Sequence, residues 1–185
     1  MICYLVRHGQ DDNTVRGGWS MSPLTENGIR QAEHLAEVIA SDKAAYDIRR
    51  IFSSDLPRAV QTARPTAAAL GLEIEERPEF RETNNGELAG MKNVIALRRF
   101  PGMFWNTLDW DQHYPGGESP HEFYDRISTA WENLKAEVSG SDGNIMLVTH
   151  AGVINVIMCI TSGRPFSNKQ RSPAIDHTKI IKVEI

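Results

Sequence analysis

Two apolar runs, far apart in the chain, end in the same way. Ile2-Cys3-Tyr4-Leu5-Val6 stops at Arg7-His8-Gly9, and Ile145-Met146-Leu147-Val148-Thr149 stops at His150-Ala151-Gly152. Runs of this length, bounded by turn residues, read as buried strands. Glycine lets the backbone turn tightly just after each one. Both segments are followed by helical patterns, and strands that alternate with helices predict parallel pairing in an α/β fold. Parallel strands end at the same sheet edge, where open α/β sheets place their ligands. His8 and His150 are therefore expected to converge there, with Arg7 beside them. An imidazole can attack a phosphoryl group, and a guanidinium holds two phosphate oxygens in its planar fork.

The elements between these runs support one domain over residues 1–185, a three-layer α/β/α sandwich with a mostly parallel central sheet. Pro23-Leu24-Thr25 leads into a helix with Thr25 as N-cap, and Ile29, Ala32, Leu35, Ala36 and Ile39 form its apolar face. Gly28 predicts a loose first turn. Arg50–Ser54 reads as a short strand. The helix after Asp55-Leu56-Pro57-Arg58 should stop at Gly71 and kink or break at Pro65. Arg58 thus arrives one short turn after a strand, near a helix N-terminus. Residues 72–75 alternate like an edge strand. Ser119 opens a helix whose buried face runs from Phe123 to Val138, and residues 179–185 form a last strand. Residues 83–118 are an irregular cap or insertion over the site, and the aromatic stretch 100–114 should line its mouth.

Bulk properties exclude some classes. A net charge of −4 over 185 residues leaves no basic excess for a general nucleic-acid binder. No run is long and apolar enough to span a bilayer. The chain enters a strand at once, without a basic leader, and its two cysteines, Cys3 and Cys159, lie in apolar runs, so the expected compartment is the cytoplasm. No cysteine or histidine spacing suggests a metal site. Two guanidiniums, two imidazoles and free helix N–H groups amount to a pocket for a phosphate dianion.

The ordered set of motifs resembles the histidine phosphatase superfamily, the phosphoglycerate-mutase-like enzymes. It comprises RHG at 7–9, PLTENGIRQA at 23–32, SSDLPRAVQTA at 53–63, FRETNNGELAG at 80–90, GGES at 116–119 and VTHAGVI at 148–154. The resemblance implies that His8 is the nucleophile and that Arg7, Arg58 and His150 hold the phosphoryl oxygens. It implies that Glu82 is the general acid and then the base, and that no metal or other cofactor takes part. Substrate contacts are expected from Arg7, Asn13, Arg58, His150 and Ala151. An alkoxide leaving group needs a proton donor opposite the attacking nitrogen, and by chemistry alone Glu79 or Glu87 could also serve. Glu82 is chosen by its place in the family pattern, just after Arg81 and ahead of Gly86. Glu118 reads as a structural ion-pair partner. His34, His113, His121 and His177 read as surface or loop residues, with packing the role for His177.

The chain departs from the family pattern at Gln10-Asp11-Asp12-Asn13-Thr14. Asn13 falls about one position early, and Asp11 and Asp12 add negative charge beside an anion site. The leading expectation is a phosphatase acting on a small phosphomonoester. The alternatives are a phosphoglycerate-mutase-type transferase, for which the chain is short, and a non-catalytic phosphate-recognition module. The substrate and the oligomeric state are not encoded legibly.

Overall fold

Alternate residues of the first strand, β1 (Ile2–Arg7), point to opposite sides, and all of its middle residues are buried. Tyr4 and Val6 pack on one side and Cys3 and Leu5 on the other. Such two-sided burial requires helices on both faces of a sheet. The computed structural model, which describes residues 1–170 and 174–185, supplies them. Strands β1, β2 (Ile48–Ser53), β3 (Ile74–Glu76), β4 (Asn144–Thr149) and β5 (Ile180–Glu184) form one sheet in the order β3-β2-β4-β1-β5. Every pairing is parallel except β5 with β1.

Helices α1 (Glu26–Ser41) and α3 (Pro57–Leu70) cover one face through Leu35, Ile39, Ala59, Ala63 and Ala67. Between α1 and β2 lies the short α2 (Lys43–Tyr46). After the two-turn α4 (Asn93–Arg99), helices α5 (Pro120–Val138) and α6 (Ala151–Thr161) cover the opposite face with Phe123, Ile127, Trp131, Val153 and Ile157. Each such fully buried aliphatic or aromatic side chain contributes about 1.5–3 kcal/mol relative to exposure. The expected three-layer α/β/α architecture is therefore what the chain forms. Among the described residues, no helix is long and apolar enough to cross a membrane.

Local signals were met unevenly. Thr25 caps α1 by accepting from the Gly28 N–H, and Ser119 with Glu122 makes a reciprocal capping box at the start of α5. Gly71 closes α3 in a left-handed conformation. Three expectations are corrected. Ile29 is 46% exposed, and the buried face of α1 begins at Gly28 instead. Gly28 does not loosen that turn: it is where the 9–10 loop crosses the helix so closely that a Cβ would sit 2.1 Å from the Gln10 carbonyl oxygen. Of the kink or break expected at Pro65, the break does not occur, and α3 runs through it. Packing of Thr62, Ala63, Thr66 and Ala67 outweighs the roughly 3 kcal/mol that an internal proline costs. The strand expected at 50–54 is displaced slightly, to Ile48–Ser53.

Residues 83–118 are not wholly irregular. They hold a turn of 3-10 helix at Gly86–Leu88, helix α4, and a small apolar cluster of Leu88, Leu108 and Tyr114 with Phe100, Met103 and Trp105 around it.

Candidate active site

Strand register brings the site together. Arg7 pairs with Thr149 across β1 and β4, and the ladder continues one step further, the His8 N–H donating to the Thr149 carbonyl at 2.9 Å. On the other side of β4 the Ser54 N–H donates to Val148 at 2.9 Å. His8, His150 and Ser54 thus occupy neighbouring positions on one carboxyl edge. The His8 and His150 rings lie 5.1 Å apart between centroids.

Both rings are almost wholly buried, His8 at 5% exposure and His150 at 0%. Burial, and next the Arg58 guanidinium, holds each imidazole well below its ordinary pKa, so both are neutral near pH 7. The His8 Nδ1–H donates to the Gly9 carbonyl at 2.7 Å. In a neutral ring that leaves the lone pair on Nε2. Nε2 of His150 is 2.9 Å from the Ser54 hydroxyl, while its Nδ1 is buried with no partner among the described residues.

Arg58, at the second position of α3, is 1% exposed. Its terminal nitrogens donate to the carbonyls of Ser20 at 2.9 Å and Gly18 at 2.7 Å. Its Nε lies 3.5 Å from an Asp11 carboxylate oxygen without forming a hydrogen bond. Arg7 donates to the Ile175 carbonyl, and its Nε too is buried and has no partner among the described residues. Among the described residues, two buried donors at this edge, Arg7 Nε and Arg58 Nε, therefore await an acceptor, with the unpartnered His150 Nδ1 beside them. Unsatisfied buried donors cost about 1–3 kcal/mol each or more when charged, and an oxyanion relieves both guanidinium donors.

Glu82 stands on the loop between β3 and the cap. Its carboxylate accepts from the Thr83 N–H and, across the site, from the Gly152 N–H, both at 3.1 Å. A Cβ at residue 152 would lie 2.3 Å from Glu82 Oε1, so only glycine admits the carboxylate this close to the start of α6. The main chain of Glu82 is pinned as well. Its carbonyl accepts from Trp19 Nε1 at 2.7 Å and from Arg126 at 3.2 Å. Arg126 also donates to the Glu79 and Arg81 carbonyls and forks onto Glu118, while Arg81 forks onto Asp55. Glu118 is the ion-pair partner its sequence context suggested. Glu87 faces Arg99 at the surface, and Glu79 contributes only its carbonyl to this network.

A cavity of about 420 Å³ opens beside Glu82 and Gly152. Its far walls are Arg16, Phe104, Trp105, Asn106 and Tyr114, so the aromatic stretch does line the mouth.

Of the residues expected to bind substrate, Arg7, Arg58 and His150 meet His8 at this edge, and Ala151 is the first residue of α6, directly behind His150. Asn13 is not brought to the cavity. It is exposed, and its carbonyl accepts from the Asn93 side chain at 2.8 Å; the cavity wall from this loop is Arg16, Gly17 and Gly18 instead. One position was underrated. His177 is not a mere packing residue: its Nδ1 is 2.9 Å from the His8 carbonyl and its ring 5.6 Å from that of His8. No local signal marked it, nor Trp19 and Arg126, whose partners lie 169, 63 and 44 residues away.

The family model described as the histidine phosphatase superfamily (branch 1) matches residues 3–185. The chain belongs to that superfamily. A phosphoglycerate mutase-like protein from Arabidopsis thaliana is 32% identical to it over 158 residues, covering 81% of this chain and 66% of that one. Among solved structures, a mycobacterial glucosyl-3-phosphoglycerate phosphatase superposes with a TM-score of 0.80 at 27% identity, covering 99% of this chain and 89% of that one. An alpha-ribazole phosphatase from Shigella flexneri superposes at 0.76 with 27% identity, covering 89% and 81%. This histidine phosphatase superfamily member thus has both mutase-named and phosphatase-named relatives, which supports a phosphatase or phosphoryl-transfer enzyme.

Proposed function

We propose that the protein is a phosphatase that hydrolyses a small-molecule phosphomonoester through a phosphohistidine on His8, without a metal ion. The observation that carries this is the neutral His8 ring, its Nε2 lone pair left free by the Nδ1 bond to Gly9, set among buried donors that lack an acceptor. The phosphoryl group sits against Arg7 and Arg58, whose positive charge and N–H groups favour the spreading charge of an in-line transition state, with the neutral His150 ring beside them. The Nε2 lone pair forms the N–P bond as the bond from phosphorus to the leaving oxygen breaks. The protonated Glu82 carboxyl gives its proton to that oxygen, and the alcohol departs through the cavity. Glu82, now a carboxylate, takes a proton from water as the water oxygen bonds to phosphorus. The P–N electrons return to Nε2, and inorganic phosphate leaves. The residues that could play these parts are those within reach of the edge, with Ala151 N–H at the start of α6 able to add to the anion site.

The test is hydrolysis of para-nitrophenyl phosphate with a metal chelator present, in wild type and in His8→Ala. The expected result is turnover that survives the chelator and falls at least about a thousandfold in the variant, the scale on which a covalent nucleophile acts. Inactive wild type that isomerises phosphoglycerate would assign the mutase reading instead, and inactivity in both assays the binding-module reading.

A further inference from the structure

The catalytic edge uses two arginines, yet a third reaches the same site from the leaving-group side. Arg16 lines the same cavity as Glu82 and Gly152. Its main chain is fixed by two hydrogen bonds to the cap, Arg16 N–H to Met91 and Gly90 N–H to Arg16, at 2.8 and 2.9 Å. Its guanidinium lies over the Phe104 ring, 4.6 Å from the centroid. Among the described residues it forms no ion pair, and its Nε is buried without a hydrogen-bond partner. By contrast, other cations around this site are engaged, Arg81 by Asp55 and Arg126 by Glu118. A guanidinium held against an aromatic face, with a buried donor unmet, is preorganised for a carboxylate or phosphate fork.

We infer that Arg16 is a specificity residue that binds a second oxyanion, a carboxylate or phosphate carried on the leaving group of the ester. Tyr114 stands within electrostatic reach of both Arg16 and Glu82, and burial pushes its phenol up to about 12, so it remains a neutral donor between the two ends of the leaving group. The Asn85 side chain does not compete for this role, because its amide is spent on the Gly17 carbonyl and the Trp19 N–H. Phe104, Trp105 and Tyr114 give the cavity apolar walls between its charged ends. The leaving group is therefore a short apolar or aromatic span with its ester oxygen at Glu82 and its own anion at Arg16. This assignment rests on the phosphatase reading above.

Matched aryl esters test it. 4-Carboxyphenyl phosphate and 4-carbamoylphenyl phosphate have nearly the same shape and differ by one charge, and 1,4-phenylene bisphosphate carries phosphate in place of carboxylate. Wild type is expected to prefer at least one dianionic-plus-anionic ester over the amide by about tenfold or more in kcat/KM, the worth of one charge-assisted fork. Arg16→Gln should bring that preference to within about twofold of unity, with Arg16→Lys between the two. The ester that loses more identifies the second anion as carboxylate or phosphate. No preference in wild type, or a preference that Arg16→Gln leaves intact, overturns the inference. Para-nitrophenyl phosphate in the same plates reports the phosphatase reading separately. If it is not turned over, calorimetric affinities of the three esters for wild type and Arg16→Gln decide the inference by the same ratios.

Discussion

His8 has one ring nitrogen committed and one in reserve, and the difference is made by a carbonyl one residue away. The bond from Nδ1 to Gly9 and the burial of the ring together select a neutral imidazole with its lone pair on Nε2. The residue itself was legible, because a histidine at the end of an apolar run is conspicuous. Its tautomer was not, since that depends on where the Gly9 carbonyl turns. Glu82 is a similar case. Its choice over Glu79 and Glu87 came from a family pattern, and the structure supplies a physical reason in the Gly152 N–H that receives its carboxylate. Glu82→Gln removes the proton donor while keeping the shape. Its kcat/KM, which reports the steps up to the phosphohistidine, is expected to fall about a hundredfold or more on alkyl phosphates and far less on para-nitrophenyl phosphate, whose leaving group needs little protonation. Steady-state kinetics on both substrates checks this, and equal losses would remove Glu82 from the role of acid.

At the scale of elements, the site is a strand edge plus one clamped loop. The strand edge follows from pattern: two buried parallel strands in register must deliver His8 and His150 side by side. The clamp does not. Arg126 on α5 gathers the carbonyls of Glu79, Arg81 and Glu82 with the Glu118 carboxylate, and nothing in an amphipathic helix sequence distinguishes such an arginine from a surface one. Asn13 is the opposite case: the family resemblance implied a substrate contact although it falls about one position early, and its carbonyl accepts from Asn93 on α4 while Arg16 from the same loop lines the cavity. Arg126→Met should keep the stem's packing and lose the clamp. The expected cost is about 2–3 kcal/mol from the charged hydrogen bonds lost, read by urea unfolding, with a drop in kcat on alkyl phosphates exceeding that on aryl phosphates. Unchanged alkyl turnover would show that the 79–82 loop holds its place without Arg126.

For the whole molecule, burying two neutral imidazoles beside arginines couples folding to pH. Below a pH of about 6.5 the unfolded chain protonates both histidines while the folded protein resists. The unfolded state then binds more protons, so stability falls as pH falls, by up to about 1.4 kcal/mol per pH unit for each ring, and this source adds no slope above pH about 7. Denaturant unfolding from pH 7.5 to 5 should show that decline, and His150→Gln should remove part of it. An oxyanion at the edge should counter it: inorganic phosphate at about 100 times its Kd adds about 2.7 kcal/mol. The layered architecture was legible from the alternation of buried strands and helices. Much of what makes the edge reactive lies in contacts spanning most of the chain, such as His177 on the His8 carbonyl, and no local pattern encodes those.

The central claim is that the phosphoryl group passes through His8. It is tested most directly by mixing wild type, Glu82→Gln and His8→Ala with para-nitrophenyl phosphate, quenching in base within one turnover, and mapping the phosphoryl group by mass spectrometry. The account predicts a phosphohistidine on the His8 peptide in wild type, accumulating further in Glu82→Gln because water is no longer activated, and none in His8→Ala. Turnover by wild type with the His8 peptide unmodified at every quench time, or undiminished turnover by His8→Ala, would contradict it.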